Sequence, residues 1–182
     1  AAFAGAFLTS LIIYFLAWDK GASPLKIILA GVAISALLSA VQSGIMNIYS
    51  DRVQSVLSWL SGGLSGRSWY HLEFMSPYAL TGLALSFFAI KPVNLLLLGD
   101  DSAKLLGQRV ELTRLLIILI ASFLAGAAVS VAGLVGFVGL VVPHMIRILI
   151  GSDYRYLLPF SALGGASLVV FADTIARSWF DP

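Results

Sequence analysis

The stretch from Gly133 to Gly151 reads GLVGFVGLVVPHMIRILIG. It is apolar and glycine-spaced, and it is interrupted by Pro143 and His144 with Arg147 close behind. A soluble core strand of this length would be unusual. In water a mid-helix proline costs a hydrogen bond, but in a membrane neighbouring helices re-satisfy the freed carbonyl. An ionisable residue inside such a run marks a candidate functional position. Five further apolar segments flank this one, and together they dictate the fold class.

Only 11% of the 182 residues are charged and 59% are hydrophobic, with a mean hydropathy of +0.97. Soluble domains carry roughly 25% charge, so this composition identifies an integral membrane protein. A spanning helix needs about 20 apolar residues, and about six such spans use most of the chain. No room remains for a soluble catalytic domain. A β-barrel needs strands of about ten residues alternating in polarity, whereas these runs are continuous. The expected fold class is therefore all-α, a polytopic transmembrane helical bundle.

The segments are Ala1–Trp18, Ile27–Tyr49, Phe74–Ile90, Leu115–Ala132, Gly136–Ile150 and Leu157–Ala176. A short polar loop, Asp19–Lys26, joins the first two. Polar residues Ser50–Glu73 join the second and third, and a mixed region, Lys91–Arg114, joins the third and fourth. The chain opens inside one hydrophobic segment and stops just past another, which reads as part of a longer protein. No basic leader precedes the first apolar run.

Orientation follows from the lysines and arginines. One side would carry Lys20, Lys26, Lys91, Lys104, Arg109, Arg114, Arg147 and Arg155, the other Arg52, Arg67 and Arg177. The excess marks the first side as cytoplasmic. The count requires Gly136–Ile150 to cross fully; a re-entrant segment would move Arg177 inside.

Segment two carries the clearest helical pattern. Gly31, Ser35, Ser39 and Ser43 recur every four residues beside Ala36, Ala40 and Gly44, so each set lies on one face. One reading is a small-residue packing face with serines bonding across helices or to their own carbonyls. The other adds Gln42 and Asn47 and makes the face a polar wall of a pathway.

The region KPVNLLLLGDDSAKLLGQRVELTR also has two readings. Asp100 or Asp101 could cap a short helix whose apolar side is Ala103, Leu105 and Leu106, with Gly107 ending it and a second turn through Val110 and Leu112. Such a helix is either an interfacial elbow on lipid or an insert for a groove on a partner.

Several chemistries are excluded. There is no phosphate-binding G-x-x-x-x-G-K-[ST] loop and no G-x-S-x-G nucleophile turn. His71 and His144 fall on opposite sides with no ligand set near either, so no metal and no cofactor is expected in this chain. Cysteine is absent. No acid sits mid-span for a proton relay; Asp173, four residues before Arg177, suits an i,i+4 ion pair. The net charge of +2 gives no reason to expect nucleic acid.

These motifs converge on a family. GLVGFVGLVVPHMIR at 133–147 and GSDYRYLLPFSALGGASLVVFADTIAR at 151–177 closely resemble permease subunits of the FecCD family, ABC importers for iron-siderophore complexes, haem and vitamin B12. LLLGDDSAKLLG at 96–107 resembles the family's cytoplasmic coupling segment, and WLSGGLSGRSW at 59–69 its periplasmic connection. The resemblance runs through the whole chain in order. It implies a single permease domain over 1–182, incomplete at both ends, of the type II ABC importer kind. Its fourth to ninth spans would be present, with a periplasmic connection at 50–73 and a coupling segment at 94–112.

The resemblance also implies partners: a second permease copy, two ATP-binding cassette subunits that hydrolyse ATP, an extracytoplasmic substrate-binding protein, and the lipid bilayer of the bacterial cytoplasmic membrane. The chain itself would be no enzyme. Leu98, Gly99, Asp100, Asp101, Ala103, Lys104, Leu105, Leu106, Gly107 and Arg109 would seat on the ATPase, with His144 and Arg147 bracing them. Arg177 would pair with an acid on the binding protein, and Arg52 and Arg67 share its side. Ser35, Ser39, Gln42, Ser43 and Asn47 would line the pathway with the partner copy. The glycines at 133, 136 and 139 would serve a tight outer turn and close packing. The competing classes are a secondary transporter or channel not driven by ATP, an intramembrane enzyme and a purely structural bundle. A secondary transporter would show midplane ions or repeat-related broken helices, and no internal repeat is found.

Overall fold

The computed structural model describes residues 2–17, 24–49 and 53–180. Among them the regular structure is entirely helical. The elements are α1 (Ala2–Leu16), α2 (Pro24–Ile48), α3 (Val53–Leu60), α4 (Trp69–Leu96), α5 (Asp100–Leu105), α6 (Val110–Ala132), α7 (Val138–Ile150) and α8 (Tyr154–Phe180). Four of them, α2, α4, α6 and α8, are long and apolar enough to cross a membrane; α1 and α7 are shorter apolar helices.

Each expected segment forms a helix, but several ends differ. α4 starts at Trp69 and runs to Leu96, absorbing residues assigned to the connections on both sides. Its 28 residues rise about 42 Å, well beyond a hydrocarbon core of about 30 Å. Polar residues at its ends therefore stand outside the hydrocarbon while remaining helical. The same holds for α8, which runs from Tyr154 to Phe180. The second turn expected through Val110 and Leu112 is instead the first turn of α6. Part of the polar connection at 50–73 is the helix α3.

α6 is the centre of the bundle, packed most heavily on α1 and α4. Small residues permit the approach. A side chain at Gly126 would meet the backbone of Phe3, and one at Gly82 would collide with Leu124. Between lipid-exposed helices such close contact replaces the hydrophobic drive available in water. Ser122 Oγ lies 2.5 Å from Ser10 Oγ and 2.7 Å from the Ile118 carbonyl, which links α6 to α1. Phe3 stacks edge-on against Phe123 at 5.2 Å. α7 packs antiparallel on α8, with Gly164 set against Val142. α2 packs on α1 and exposes most of its surface.

α7 has only 13 residues, about 20 Å of rise. Residues 133–137 precede it as non-helical chain. Gly133 lies against Trp59 and Gly62, beside Leu64, which bonds Asp173 near the C-terminal end of α8. At its other end α7 leads to Asp153, which bonds Asn94 near the C-terminal end of α4. The stretch thus runs from one end of the bundle to the other, and Pro143 is accommodated inside the helix.

The glycines of this stretch are not equivalent. Gly133 has φ +72°, and a Cβ there would run into the Trp59 carbonyl. Gly136 and Gly139 have nothing within 4 Å, so the close packing expected of them does not occur among the described residues. Phe137, not a glycine, takes the left-handed conformation before α7, with φ 65°.

Gly133→Val should destabilise the protein by about 1–3 kcal/mol through its backbone conformation alone, with the steric clash added. Gly136→Ala should be near neutral. Thermal unfolding in detergent followed by size-exclusion chromatography checks both; a Gly133 variant as stable as the parent would contradict the packing described.

Candidate functional site

Three regions hold the residues singled out from the sequence, and the first is the short helix α5. Its N-cap is Gly99, with Asp100 and Asp101 in the first turn, so neither acid is itself the cap. Their charge there complements the helix dipole. The helix ends as expected at Gly107, φ +82°. Gly107 N–H donates to the Lys104 carbonyl at 2.9 Å and Gln108 N–H to the Ala103 carbonyl at 3.0 Å, the paired bonds of a Schellman termination.

Side chains then fix α5 to its neighbours. Arg114 Nη2 donates to Asp100 Oδ1 at 2.6 Å, with Arg114 only 11% exposed. Gln108 Nε2 donates to the Pro92 carbonyl at 3.1 Å and to Thr113 Oγ1 at 3.0 Å. α5 is therefore bound to the ends of both α4 and α6. Tyr14 OH donates to the Glu111 carbonyl at 3.2 Å, which brings α1 to the same place.

The expected apolar side of α5 is split. Ala103 is fully buried, while Leu105 is 90% exposed and Leu106, Leu97 and Leu98 are also exposed. Two residues along a helix is a turn of about 200°, so Ala103 and Leu105 cannot share a face. Leu98, Asp101, Lys104 and Arg109 are exposed around the same helix. The result is a rigid apolar knob ringed by charge.

Asn94 and Asp153 make a second tie at this end. Asn94 Nδ2 donates to Asp153 Oδ1 at 2.7 Å, and Tyr154 N–H donates to Asn94 Oδ1 at 3.0 Å. Asp153 also accepts from Arg155 N–H at 2.9 Å, the bond of an N-cap residue. The Arg155 amide, then the Asn94 amide, hold its carboxyl below the usual carboxylate range. His144 and Arg147 are on α7, and both are exposed. Among the described residues neither bonds to 98–109, so the expected bracing has no direct contact behind it.

The second region is α2. Ser35, Ser39, Gln42, Ser43 and Asn47 are all exposed. Ser43 Oγ donates to the Ser39 carbonyl at 2.9 Å, and nothing lies within 4 Å of a Cβ at Gly31 or Gly44. A small-residue packing face is thus unfilled among the described residues. The C-terminal half of α2 and α3 together line a groove of about 690 Å³, with Leu38, Gln42 and Met46 on one wall and Val56, Trp59 and Leu60 on the other.

The third region is the end of the bundle opposite α5. Asp173 Oδ2 pairs with Arg177 Nε at 2.8 Å, the ion pair expected from their spacing. Arg67 is exposed in the α3–α4 connection. Arg52 lies outside the described residues. Sequence reasoning missed Asn94, Gln108, Leu64 and the capping role of Asp153. Only Asp153 carried a local signal, an acid just before an apolar helix. Among the described residues no cluster of His, Cys, Asp or Glu could hold a metal.

The sequence model of the FecCD transport family matches residues 1–182. The Fe(3+)-citrate import system permease protein YfmD of Bacillus subtilis (strain 168) is 44% identical over 176 residues, covering 97% of this chain and 53% of that protein. The hemin transport system permease protein HmuU of Yersinia pestis is 41% identical over 184 residues, covering 100% and 54%. The cobalamin import system permease protein BtuC of Halobacterium salinarum is 40% identical over 179 residues, covering 98% and 48%. The chain thus spans about half the length of these relatives. Its fold matches a solved structure presented as an inward-facing conformation of a metal-chelate type ABC transporter, with TM-score 0.81 and 28% identity over 97% of this chain and 65% of that one.

A carboxyl held below its ordinary value stabilises the fold above the unfolded pKa near 3.8, and that contribution is lost as pH falls through the lower folded value. The amides of Tyr154 and Arg155 should accordingly stay protected from hydrogen exchange at pH 5 and lose protection only in stronger acid. Asp153→Ala should remove the protection already at pH 5.

Proposed function

The chain belongs to the FecCD transport family, and from that membership we propose that it forms part of a permease subunit of an ATP-driven importer. The cargo would be a chelate of the iron-siderophore, haem or cobalamin type, the range named among the relatives. It is a multi-pass membrane protein, and the cell membrane of a bacterium is its proposed location. Hydrolysis of ATP would belong to two partner subunits, cargo delivery to an extracytoplasmic binding protein, and the pathway to two permease copies facing each other.

The observation that carries this reading is the build of α5. An exposed leucine knob is an expensive surface unless a partner covers it, and charged residues ring it as polar groups ring the core of an interface. Its bonds to α4 and α6 suit a lever. A push on α5 would reach α4 through Gln108 and the Pro92 carbonyl, α6 through Arg114, and α8 through Asn94 and Asp153. Lys91, Lys104, Arg109, Arg114, Arg147 and Arg155 share the α5 side of the chain while Arg67 and Arg177 lie on the other, which favours a cytoplasmic α5. The exposed hydroxyls and amides of Ser35, Ser39, Gln42, Ser43 and Asn47 would offer a bulky chelate weak, uncharged contacts along the pathway. Arg177 and Arg67, with Arg52, would receive the binding protein on the outer face.

Leu105→Asp in the whole permease should lower co-purification of the ATPase subunits and chelate uptake at least about tenfold, as expected for an apolar interface anchor. Lys104→Glu combined with Arg109→Glu should weaken association less. Because Leu105 is exposed, the variant should leave the permease monodisperse in detergent. Normal ATPase association in both variants would overturn the assignment of α5.

A further inference from the structure

We propose that Asp173 is a shared acceptor that relays docking at Arg177 to the outer mouth of the α2–α3 groove. The proposal rests on the reading of Arg177 as a docking residue. The ion pair to Arg177 is by itself an ordinary i,i+4 contact and, being half exposed, contributes little. It leaves the other carboxylate oxygen unexplained. That oxygen, Oδ1, accepts the backbone N–H of Leu64 at 3.2 Å, across 109 residues of sequence. One carboxylate thus holds both the arginine and the connection between α3 and α4.

The two halves differ in exposure. Asp173 is 21% exposed and Arg177 is 49% exposed. The pair to Asp173 uses Arg177 Nε, so a carboxylate arriving from outside can bind the guanidinium fork bidentately and compete with Asp173 for it. Left without its cation, the partly shielded carboxylate would turn toward water to be solvated, and Leu64 N–H would lose its acceptor. Leu64 sits just after Gly62 and Gly63, both with positive φ, where the backbone can pivot. Gly63 N–H donates to the Ala132 carbonyl at 2.8 Å, so the hinge is anchored on α6. On its near side lie Trp59 and Leu60, which line the groove opposite Gln42 and Met46. Release of Leu64 therefore removes one of the ties that hold the α3 wall of the groove and leaves Gly63 on Ala132 and Trp59 on Leu134 as the points about which it turns. The two discrete states are Leu64 N–H bonded to Asp173 and Leu64 released.

The test uses the complete transporter in lipid nanodiscs with its ATPases and cargo-loaded binding protein, reading docking affinity and stimulation of ATP hydrolysis separately. Asp173→Asn keeps an oxygen for Leu64 but gives up the charge that competes for Arg177. It should tighten docking about threefold or more and lower stimulation about tenfold. Asp173→Ala removes both contacts; it should also tighten docking, but should raise hydrolysis without the binding protein. Arg177→Ala examines the docking reading alone. If it docks normally, that reading fails, whereas parental behaviour of both Asp173 variants in both readouts overturns the relay.

A second measurement leaves Asp173 in place. The chain has no cysteine, so spin labels at Leu38→Cys and Val56→Cys report the width of the groove. The distance should lengthen when the loaded binding protein is added. An unchanged distance, with docking intact, also overturns the relay.

Discussion

Backbone amides and carbonyls within a bilayer have no water to bond to, and each one left unsatisfied costs several kcal/mol. That constraint selects helices for the regular structure, and it also explains where the chain departs from them. Residues 133–137 are non-helical, and they lie where another connection can meet them. Leu134 N–H donates to the Trp59 carbonyl at 3.4 Å, and Gly63 N–H to the Ala132 carbonyl at 2.8 Å. Two irregular segments satisfy one another, and only glycine at 62 and 133 lets their backbones approach closely enough.

The same economy shapes the opposite end. The last carbonyls of α4 accept from the backbone amides of Leu97, Leu98 and Gly99, Gln108 adds a bond to the Pro92 carbonyl, and Asn94 accepts from the Tyr154 amide at the start of α8. These bonds unite α4, α5, α6 and α8 at one end, and α1 joins through Tyr14. α2 shares none of these ties and packs on α1. In the proposed function a bundle so divided would have one part to receive force and a separate wall along which cargo could pass. The leucine knob belongs to the first and the serine-rich face to the second.

Much of this was legible in the sequence. Apolar run length located six helices, four of them long enough to cross a membrane, Gly107 marked a helix end, and spacing gave the Asp173–Arg177 pair. Helix ends were legible only roughly, because a helix such as α4 continues past the hydrocarbon and its polar turns look like loop. The burial of Ala103 against the exposure of Leu105 was hidden, since six residues are too few for periodicity to reveal a face. The contacts that tie the bundle ends, Asp173 to Leu64, Asn94 to Asp153 and Gln108 to Pro92, join distant residues and leave no local pattern. The bracing role expected of His144 and Arg147 came from their place in the chain, and their side chains point to no bond with α5.

The central claim is that force enters this bundle from ATP-hydrolysing partners at α5. Its most direct test is chelate uptake into vesicles holding the whole permease with its ATPases and binding protein. Uptake should require ATP and vanish when the ATPases are omitted, even under an imposed proton gradient. Gradient-driven uptake by the permease alone would contradict it.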